Sequence, residues 1–287
     1  GVLYTDNGKT LLCYPAKLVI PEYYHDGILV PSDTFIVPAD VTRIAKGAFM
    51  HCDQLLYIAF EDGTQELVFC EDAFRALLNL KKIGRIDTEP RDGNEVIIAD
   101  EFLPDRLIAI ESYAFKDCVN LKDITATLNS SLLYVGENIL EGTGWYYLKN
   151  MNNTTYVDGT ASDGILMLGY VALGVTSDYN KNSLIFDGNY VKAIADAAFY
   201  NNTLIHLISL ENTQFAHIGR RAFDKCTNLN TVNLYNTHPE SFTIGDSAFH
   251  GFGANFTIYI PHDTLEEYIL AEGWSDYADY FIERDNS

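Results

Sequence analysis

Apolar residues recur along this chain at a spacing that indicates stacked repeats. The dipeptide Ala-Phe occurs six times, and a degenerate copy, Ile139-Leu140, fits the same pattern. Successive copies are 25, 41, 25, 59, 24 and 26 residues apart. Four of these six steps fall in the roughly 20–29-residue range of repeats that contribute one strand each, and the two long steps indicate a repeat plus an insertion. The phenylalanines are Phe49, Phe74, Phe115, Phe199, Phe223 and Phe249.

The apolar register holds on both sides of this dipeptide. An apolar residue stands five positions before the Phe or Leu in all seven copies, and a Leu-x-x-Ile-x-like run follows in most of them. The run Leu229-x-x-Val232-x-Leu234 alternates in the way of a short strand with one buried face. A repeat of this length cannot bury its apolar face alone, so the pattern predicts a solenoid. Its parallel strands would line one side, and turns or short helical pieces would carry the Ala-Phe pairs.

Two of the repeats, which we call rungs, are expected to be irregular. The fourth rung has Lys149 at a strand position, and the seventh has Asn255 at the position where most rungs have Leu. Two hairpins are predicted to open the two blocks of rungs, one at Asp6-Asn7-Gly8 and one over residues 163–177. The charged segment 87–102, which contains Pro and Gly, is predicted to be a protruding loop.

We therefore expect a single solenoid domain over residues 1–287 with about seven rungs, two hairpin insertions and a C-terminal cap that is helical after Pro261. Its predicted parts are an N-terminal hairpin cap (1–36), a first repeat block (37–141), a hairpin insertion (142–190), a second repeat block (191–261) and a C-terminal cap (262–287).

The repeat resembles the unit I-G-x-x-A-F-x-x-C-x-x-L-x-x-I-x-L of the BspA-like leucine-rich-repeat proteins of bacterial cell surfaces. Residues 218–234, IGRRAFDKCTNLNTVNL, match every fixed position, with Val232 in place of Ile. The resemblance implies an α/β fold, a curved, right-handed β/α superhelix with a parallel sheet. It also implies export to the bacterial cell surface or medium and adhesion to host extracellular-matrix proteins or to another bacterial surface protein. The family has no shared catalytic residues.

Charge and hydropathy narrow the classes of partner. The formal charge of −21 disfavours nucleic acid, because binding there requires Lys and Arg to neutralise phosphates. The longest apolar run, residues 164–175, is shorter than the roughly 20 residues of a membrane-spanning helix and is better explained as a buried hairpin. The chain begins at Gly1 rather than Met, so we expect a leader to have been removed.

Three cysteines share one phase of the repeat: Cys52, Cys118 and Cys226. Rungs of a parallel stack lie about 4.8 Å apart, and these cysteines belong to the first, third and sixth rungs, so they should be about 10 Å or more from one another. Disulfides need Cα atoms within about 7 Å, so regular stacking keeps the three thiols from bridging. Other rungs place Leu, Thr, Asn or Phe at this phase, which favours a packing role over chemistry. Cys13 and Cys70 are the remaining cysteines, so the chain has five, an odd number.

No constellation of catalytic, cofactor-binding or metal-ligating residues is identified. The seven histidines share no repeat phase and form no metal-binding pair, so we expect surface or loop positions. Asp178, Asn180 and Asn182 begin like a calcium loop, but Ser183 and Asn189 depart from its sixth and twelfth positions. A polar turn is the simpler interpretation.

The outward side of the strands is the expected partner-binding face, although an ordinary solvated sheet face fits equally well. Strand alternation places these residues there: Tyr57, Ala59, Lys82, Asp123, Thr125, Leu207, Ser209, Thr231, Asn233, Thr257 and Tyr259. Three functions stay open. The first is a non-enzymatic exported surface protein that contacts proteins or matrix, the second is capture or processing of surface glycans, and the third is a structural spacer.

Overall fold

The computed structural model describes residues 1–127, 130–151, 156–157, 160–161, 164–186, 191–211 and 214–285. The chain forms two compact units, one of residues 1–132 with 138–152 and one of residues 133–137 with 153–287. Within each unit, strands at corresponding positions of successive rungs pair in parallel, which confirms the predicted solenoid. Parts of the predicted 142–190 insertion, at 152–155, 158–159, 162–163 and 187–190, lie outside the described residues.

The first unit contains two sheets. One has the order β1-β2-β6-β8-β11, and the other has the order β3-β4-β10-β9-β7-β5. Strands β1 and β2 are the antiparallel hairpin predicted at Asp6-Asn7-Gly8. The elements are β1 (Leu3–Thr5), β2 (Thr10–Cys13), β3 (Tyr23–His25), β4 (Ile28–Val30), β5 (Thr34–Val37), β6 (Arg43–Ile44), β7 (Tyr57–Phe60), β8 (Leu67–Phe69), β9 (Lys82–Arg91), β10 (Asn94–Ala99), β11 (Leu107–Ile110) and α1 (Gly144–Met151).

The second unit also has two main sheets, with the orders β15-β16-β18-β20-β22 and β17-β19-β21-β23-β24. The hairpin predicted over 163–177 is confirmed as β15 and β16, which are buried along most of their length. The elements are β12 (Tyr134–Val135), β13 (Tyr156–Val157), β14 (Thr160–Ala161), β15 (Ile165–Leu168), β16 (Val171–Val175), β17 (Ser183–Phe186), β18 (Ala193–Ile194), β19 (Leu207–Leu210), β20 (His217–Ile218), β21 (Thr231–Leu234), β22 (Thr243–Ile244), β23 (Thr257–Ile260), α2 (Leu265–Leu270) and β24 (Phe281–Glu283).

The Ala-Phe side of each rung is built from turns, and helices are few in the described part of the chain. Residues two before and two after the Phe have positive φ, as at Arg221 (56°) and Lys225 (61°). These two left-handed residues reverse the chain within one rung. The backbone then bonds directly to the next rung, where Phe223 N–H donates to the carbonyl of Ala248 at 2.8 Å.

Stacked aromatic rings form the spine of each unit. In the first unit, the rings of Tyr14, Phe49, Phe74 and Phe115 follow one another with centroids 5.6, 5.3 and 5.2 Å apart. All four side chains are buried, and their spacing is that of offset-stacked aromatic pairs. Tyr14 shows that the N-terminal hairpin serves as a rung of its own.

The second unit repeats this arrangement and ends it with a cap. The rings of Phe199, Phe223 and Phe249 are 5.0 and 5.3 Å apart and nearly parallel. Tyr277, in a 3-10 helix (Trp274–Tyr280), meets Phe249 edge-on at 5.6 Å, and its hydroxyl accepts a hydrogen bond from Phe249 N–H at 3.1 Å. The predicted helix after Pro261 is confirmed as α2, and β24 adds a further parallel strand to the sheet.

The predicted loop over 87–102 is wrong. This segment is part of the β9–β10 hairpin, which turns at Asp92-Gly93, where both residues have positive φ. Strand β10 also pairs in parallel with β4, and the apolar residues Val96, Ile97 and Ile98 are buried. Its charged residues misled the prediction because Asp87, Asp92 and Glu95 are exposed in this hairpin, whereas residues 96–99 of β10 are buried.

The two rungs expected to be irregular are irregular. Lys149 lies in helix α1 rather than in a strand, and Phe256 provides the buried aromatic residue next to the half-exposed start of β23. In the fourth rung, helix α1 therefore stands where most other rungs have a strand. In the seventh rung, the buried residue is Phe256, one position after Asn255, so the core is preserved.

Candidate functional site

The outward face of the second unit carries a row of side chains that crosses all five strands of one sheet. Parallel register aligns Ile185, Ser209, Asn233, Tyr259 and Ile282 on strands β17, β19, β21, β23 and β24. At the ordinary spacing of strands, this row is about 19 Å long. A second row beside it contains Leu207, Thr231 and Thr257. We call these two rows the β17–β24 face.

This face is polar in its middle and apolar at its ends. Ile185 is 54% exposed and Ile282 is 50% exposed, while Thr231, Asn233, Thr257 and Tyr259 are half-buried. Tyr235 extends the face beyond β21, and Arg284 lies over its ring at 3.9 Å from the centroid. The sequence analysis missed Ile185 and Ile282 because β17 and β24 lie outside the recognised repeats, and it missed Tyr235 because this residue follows the last position of its repeat unit. Strand alternation was the available signal for two of them, since Ile185 lies between the buried Leu184 and Phe186, and Tyr235 lies between the buried Leu234 and Asn236.

Ser209 does not fit the expectation of an open binding residue. It lies on the outward side of β19, but it is buried, and its hydroxyl donates to Glu211 Oε1 at 3.1 Å. A short side chain between longer neighbours on both adjacent strands has little contact with solvent. Ser209 is therefore part of the support of the β17–β24 face.

The corresponding outward face of the first unit is largely covered. Tyr57 and Ala59 do lie on the outward side of β7, yet both are buried. Together with Ile36 they pack against Val96 and Ile98 of β10 in a second apolar cluster. The β9–β10 hairpin covers this face, so the expectation that Tyr57 and Ala59 meet a partner there is corrected. Thr125 is half-buried beside Phe102, with which it forms an isolated parallel bridge.

The structure does bring three predicted face residues together in one open groove of about 390 Å³. Tyr57, Lys82 and Asp123 line it, and Lys82 pairs with Glu101 at 3.5 Å. The sequence analysis considered only the outward positions of the strands and therefore missed the rest of the lining: Leu56, Asn79, Lys81, Asn120 and Lys122. We call this site the lysine groove.

The cysteines of the repeat have the predicted packing role. Cys52, Cys118 and Cys226 are buried, and all five cysteines of the chain are free. Each of the three thiols also donates a hydrogen bond to a carbonyl of the preceding rung, as in Cys226 to Phe199 at 3.1 Å. Burial raises the pKa of Cys118 to about 12 and that of Cys226 to about 11. Such thiols are poor nucleophiles at neutral pH.

A buried polar cluster in the second unit was not predicted. The carboxylate of Asp196 accepts hydrogen bonds from Tyr134 Oη at 3.1 Å and from Arg220 N–H at 2.7 Å. Burial raises the pKa of Asp196 and lowers that of His217, whose Nδ1 lies 2.8 Å from Thr243 Oγ1. The cluster connects β12, the turn after β18, β20 and β22 through hydrogen bonds. Its role is structural.

His217 and His25 correct the expectation that the histidines occupy surface or loop positions. His217 lies in β20 and is half-buried, and His25 lies in β3 within 3.5 Å of Glu61. Asp178, Asn180 and Asn182 are exposed residues before β17, while Asn189 lies outside the described residues. Among the described residues, no three His, Cys, Asp or Glu side chains converge as a metal site would require.

Comparison with known families identifies the repeat. The family model of the BspA type leucine-rich repeat region matches residues 20–88, 97–161 and 178–271 with six copies. These matches span most of the chain, and the chain belongs to this family. A comparison with curated proteins gives no match. In the described residues, no helix combines the length and apolarity needed to cross a membrane.

Several solved structures are similar over most of the chain at low sequence identity. The pneumococcal vaccine antigen PcpA is 16% identical, with a TM-score of 0.33 over 90% of this chain and 73% of that chain. A leucine-rich cell surface protein from Faecalibacterium prausnitzii A2-165 is 14% identical, with a TM-score of 0.29 over 91% and 86% of the two chains. The leucine-rich repeat protein of T. pallidum is also 14% identical, with a TM-score of 0.28 over 93% and 94%.

Proposed function

We propose that this chain is a non-enzymatic, exported surface protein that binds another protein through the β17–β24 face of its second unit. The proposed partner is a host extracellular-matrix protein or a surface protein of another bacterium. Membership of the BspA-type family and the leucine-rich cell surface protein among the similar structures support the location. The apolar and polar side chains of the face support a protein as the partner.

The observation that carries the proposal is the row from Ile185 to Ile282. Its two ends expose an aliphatic side chain each, and Tyr259 and Asn233 lie between them on adjacent strands. Protein interfaces combine apolar and aromatic anchors with polar groups that can hydrogen-bond. A row of about 19 Å on rigid strands provides such a combination across the central part of a standard interface, which buries about 800 Å² per partner.

The electrostatics of the face suit a neutral or basic partner. The chain carries a net charge of −21, which repels acidic proteins at long range. On the face itself, the aligned residues of β19, β21 and β23 are uncharged, so a partner need not desolvate a carboxylate there. Acidic surroundings around an uncharged patch accelerate the approach of a basic protein.

A double variant of the face and a matched control double variant test this proposal. Ile185→Ser with Ile282→Ser removes the exposed ends of the face, and Leu204→Ser with Leu270→Ser removes comparable exposed residues elsewhere in the unit. Binding is measured by biolayer interferometry against fibronectin, laminin, fibrinogen and collagen. We expect at least one of them to bind the natural chain and the control pair, with a tenfold or greater loss for the face pair. Binding that both pairs weaken equally, or no binding to any of the four, would contradict the proposal.

A further inference from the structure

The lysine groove exists because an inserted segment separates two rungs on the strand side only. On the turn side, the second and third rungs touch, since the rings of Phe74 and Phe115 stack at 5.2 Å. On the strand side, Arg85 N–H donates to the carbonyl of Phe102, and Thr125 N–H donates to the carbonyl of Glu101. The return segment after β10 therefore runs between the two rungs. Two strand spacings, about 9–10 Å, replace one.

The groove opens where the rungs begin to diverge. Asn79, Lys81 and Lys82 form its wall on the second rung, and Asn120, Lys122 and Asp123 form its wall on the third. Leu56 and Tyr57 of the first rung complete it. The rungs of the second unit have no lysine at the positions that correspond to Lys81 and Lys122, where His206, Asn230 and Phe256 stand instead.

The amides at the entrance are held in place by the rung stacking. Asn79 Nδ2 donates to the carbonyl of Asp53 at 2.9 Å, and Asn120 Nδ2 donates to the carbonyl of Leu78 at 2.7 Å. These bonds use the donor side of each amide and leave its oxygen as an acceptor. The groove thus presents fixed acceptors for hydroxyl groups beside ammonium donors, one of which, Lys81 Nζ, lies 6.0 Å from the centroid of the Tyr57 ring.

The lysines of the groove hold an excess of positive charge in a strongly acidic chain. Within the part of the chain that the structure describes, neither Lys81 nor Lys122 has a carboxylate within ion-pair distance, whereas Lys46, Lys82 and Lys116 each have one. Like charges on adjacent rungs repel, and Glu101 already compensates Lys82. Asp123 is the one carboxylate among the groove's lining residues. The lining therefore has an excess of about one positive charge, which suits a singly charged anion.

From this geometry we propose that the lysine groove binds a sugar that bears one negative charge, such as a uronic acid unit of a polysaccharide. Lys81 and Lys122 hold the anionic group, and the oxygens of Asn79, Asn120 and Asp123 accept hydrogen bonds from ring hydroxyls. A groove of about 390 Å³ accommodates one or two sugar rings. This activity is separate from the proposed protein binding, which uses residues of the other unit.

The test uses the full chain and four small probes: glucuronate, glucose 6-sulfate, glucose and acetate. We expect glucuronate or glucose 6-sulfate to bind at least tenfold more tightly than glucose and acetate, because both the charge and the hydroxyls contribute. Comparison of the two acidic sugars shows which anionic group fits. Equal binding of acetate and the acidic sugars would show a bare anion site and would overturn the proposal, as would no preference over glucose.

Matched variants locate the site. Lys81→Gln with Lys122→Gln is expected to weaken binding of the acidic sugar about tenfold, since two charge-assisted hydrogen bonds are lost. Lys9→Gln with Lys17→Gln changes the net charge equally at exposed positions outside the groove and is expected to alter binding less than twofold. Asp123→Asn keeps an acceptor and removes a negative charge, so binding should strengthen about threefold. Equal losses in both lysine pairs would overturn the proposal.

A second measurement needs no variant. In the natural chain, the acidic sugar should protect Lys81 and Lys122 from acetylation by acetic anhydride, as measured by peptide mass spectrometry, while Lys9 and Lys17 react unchanged. Uniform reactivity with and without the sugar would refute binding in the groove, whatever the variants show. The same assay with fibronectin in place of the sugar distinguishes this site from the β17–β24 face.

Discussion

The thiol of Cys118 donates a hydrogen bond to the carbonyl oxygen of Phe74, 3.0 Å away in the preceding rung. Cys226 makes the same contact to Phe199, and Cys52 makes it to Tyr14. The cysteine therefore links each of these rungs to the one before it, in addition to filling space. In another rung, Thr143 occupies this phase, and its hydroxyl donates to the carbonyl of Leu140 within the same rung.

Replacement of Cys226 should distinguish its two contributions. Cys226→Ala removes both the buried sulfur and the donor, and we expect it to lower the free energy of unfolding by about 1–2 kcal/mol. Cys226→Ser keeps a donor for the Phe199 carbonyl and should cost less. Urea unfolding under reducing conditions measures both values. A larger cost for Ser than for Ala would show that the hydrogen bond contributes nothing to the stability.

Thiol labelling at neutral pH should report the burial of the cysteines. Cys13 is exposed, whereas Cys52, Cys70, Cys118 and Cys226 are buried. Burial raises the pKa of Cys52 to about 12, so its reactive thiolate is scarce at pH 7. We expect iodoacetamide to modify one cysteine rapidly in the folded chain and five after denaturation. Rapid labelling of Cys226 in the folded chain would contradict the packed arrangement.

The cap of the second unit should depend on one hydroxyl group. Tyr277→Phe leaves the ring against Phe249 but removes the acceptor for the buried Phe249 N–H. An unsatisfied buried donor costs about 1–3 kcal/mol, which urea unfolding should detect. Tyr280→Phe is the control, because the Tyr280 hydroxyl makes no hydrogen bond among the described residues, and its effect should stay below about 0.5 kcal/mol. Similar values for the two variants would refute this role of Tyr277.

His217 should make folding less favourable in mild acid. Burial lowers its pKa below the ordinary value of 6.5, so the unfolded chain takes up the proton first as the pH falls. The stability is therefore complete above pH 6.5 and declines below it. His217→Asn retains a polar partner for Thr243 and should remove this decline. Melting temperatures at intervals from about pH 7.5 to 5 measure it.

Asp196 should change the stability in the opposite direction as the pH falls, and it should do so at lower pH than His217. Burial raises its pKa above the ordinary 3.8, so the folded chain binds the proton more readily just above that value. The decline due to His217 should consequently be visible first as the pH is lowered. An exposed histidine variant, His206→Asn, should keep the full decline of the natural chain. If His217→Asn also keeps it, another group is responsible.

The repeat fold could be predicted from the sequence because its signal is periodic. The apolar residues around Phe223 recur in the same register in most rungs, and only stacking can bury all of them. Tyr14 was missed because it differs from Phe and precedes the first recognised rung, although its ring occupies the same stack. The hairpin turn at Asp92-Gly93 had a recognisable signal that the charged flanking residues obscured.

The burial of individual outward residues could not be predicted from the repeat. Tyr57 obeys the strand alternation, and it is buried only because β10 packs over it from a distant part of the sequence. The lysine groove likewise results from the segment that separates two rungs, and no periodic rule specifies its path. Which proteins contact the β17–β24 face, and the location of the chain at a cell surface, stay predictions.

The most direct test of the central proposal is the affinity of the Ile185→Ser, Ile282→Ser pair for an extracellular-matrix protein that binds the natural chain. Both side chains are at least half-exposed, so their replacement should leave the fold intact, as the melting temperature will show. The account predicts a tenfold or greater loss of affinity, with the Leu204→Ser, Leu270→Ser pair binding like the natural chain. Unchanged affinity of the face pair would contradict the assignment of binding to this sheet.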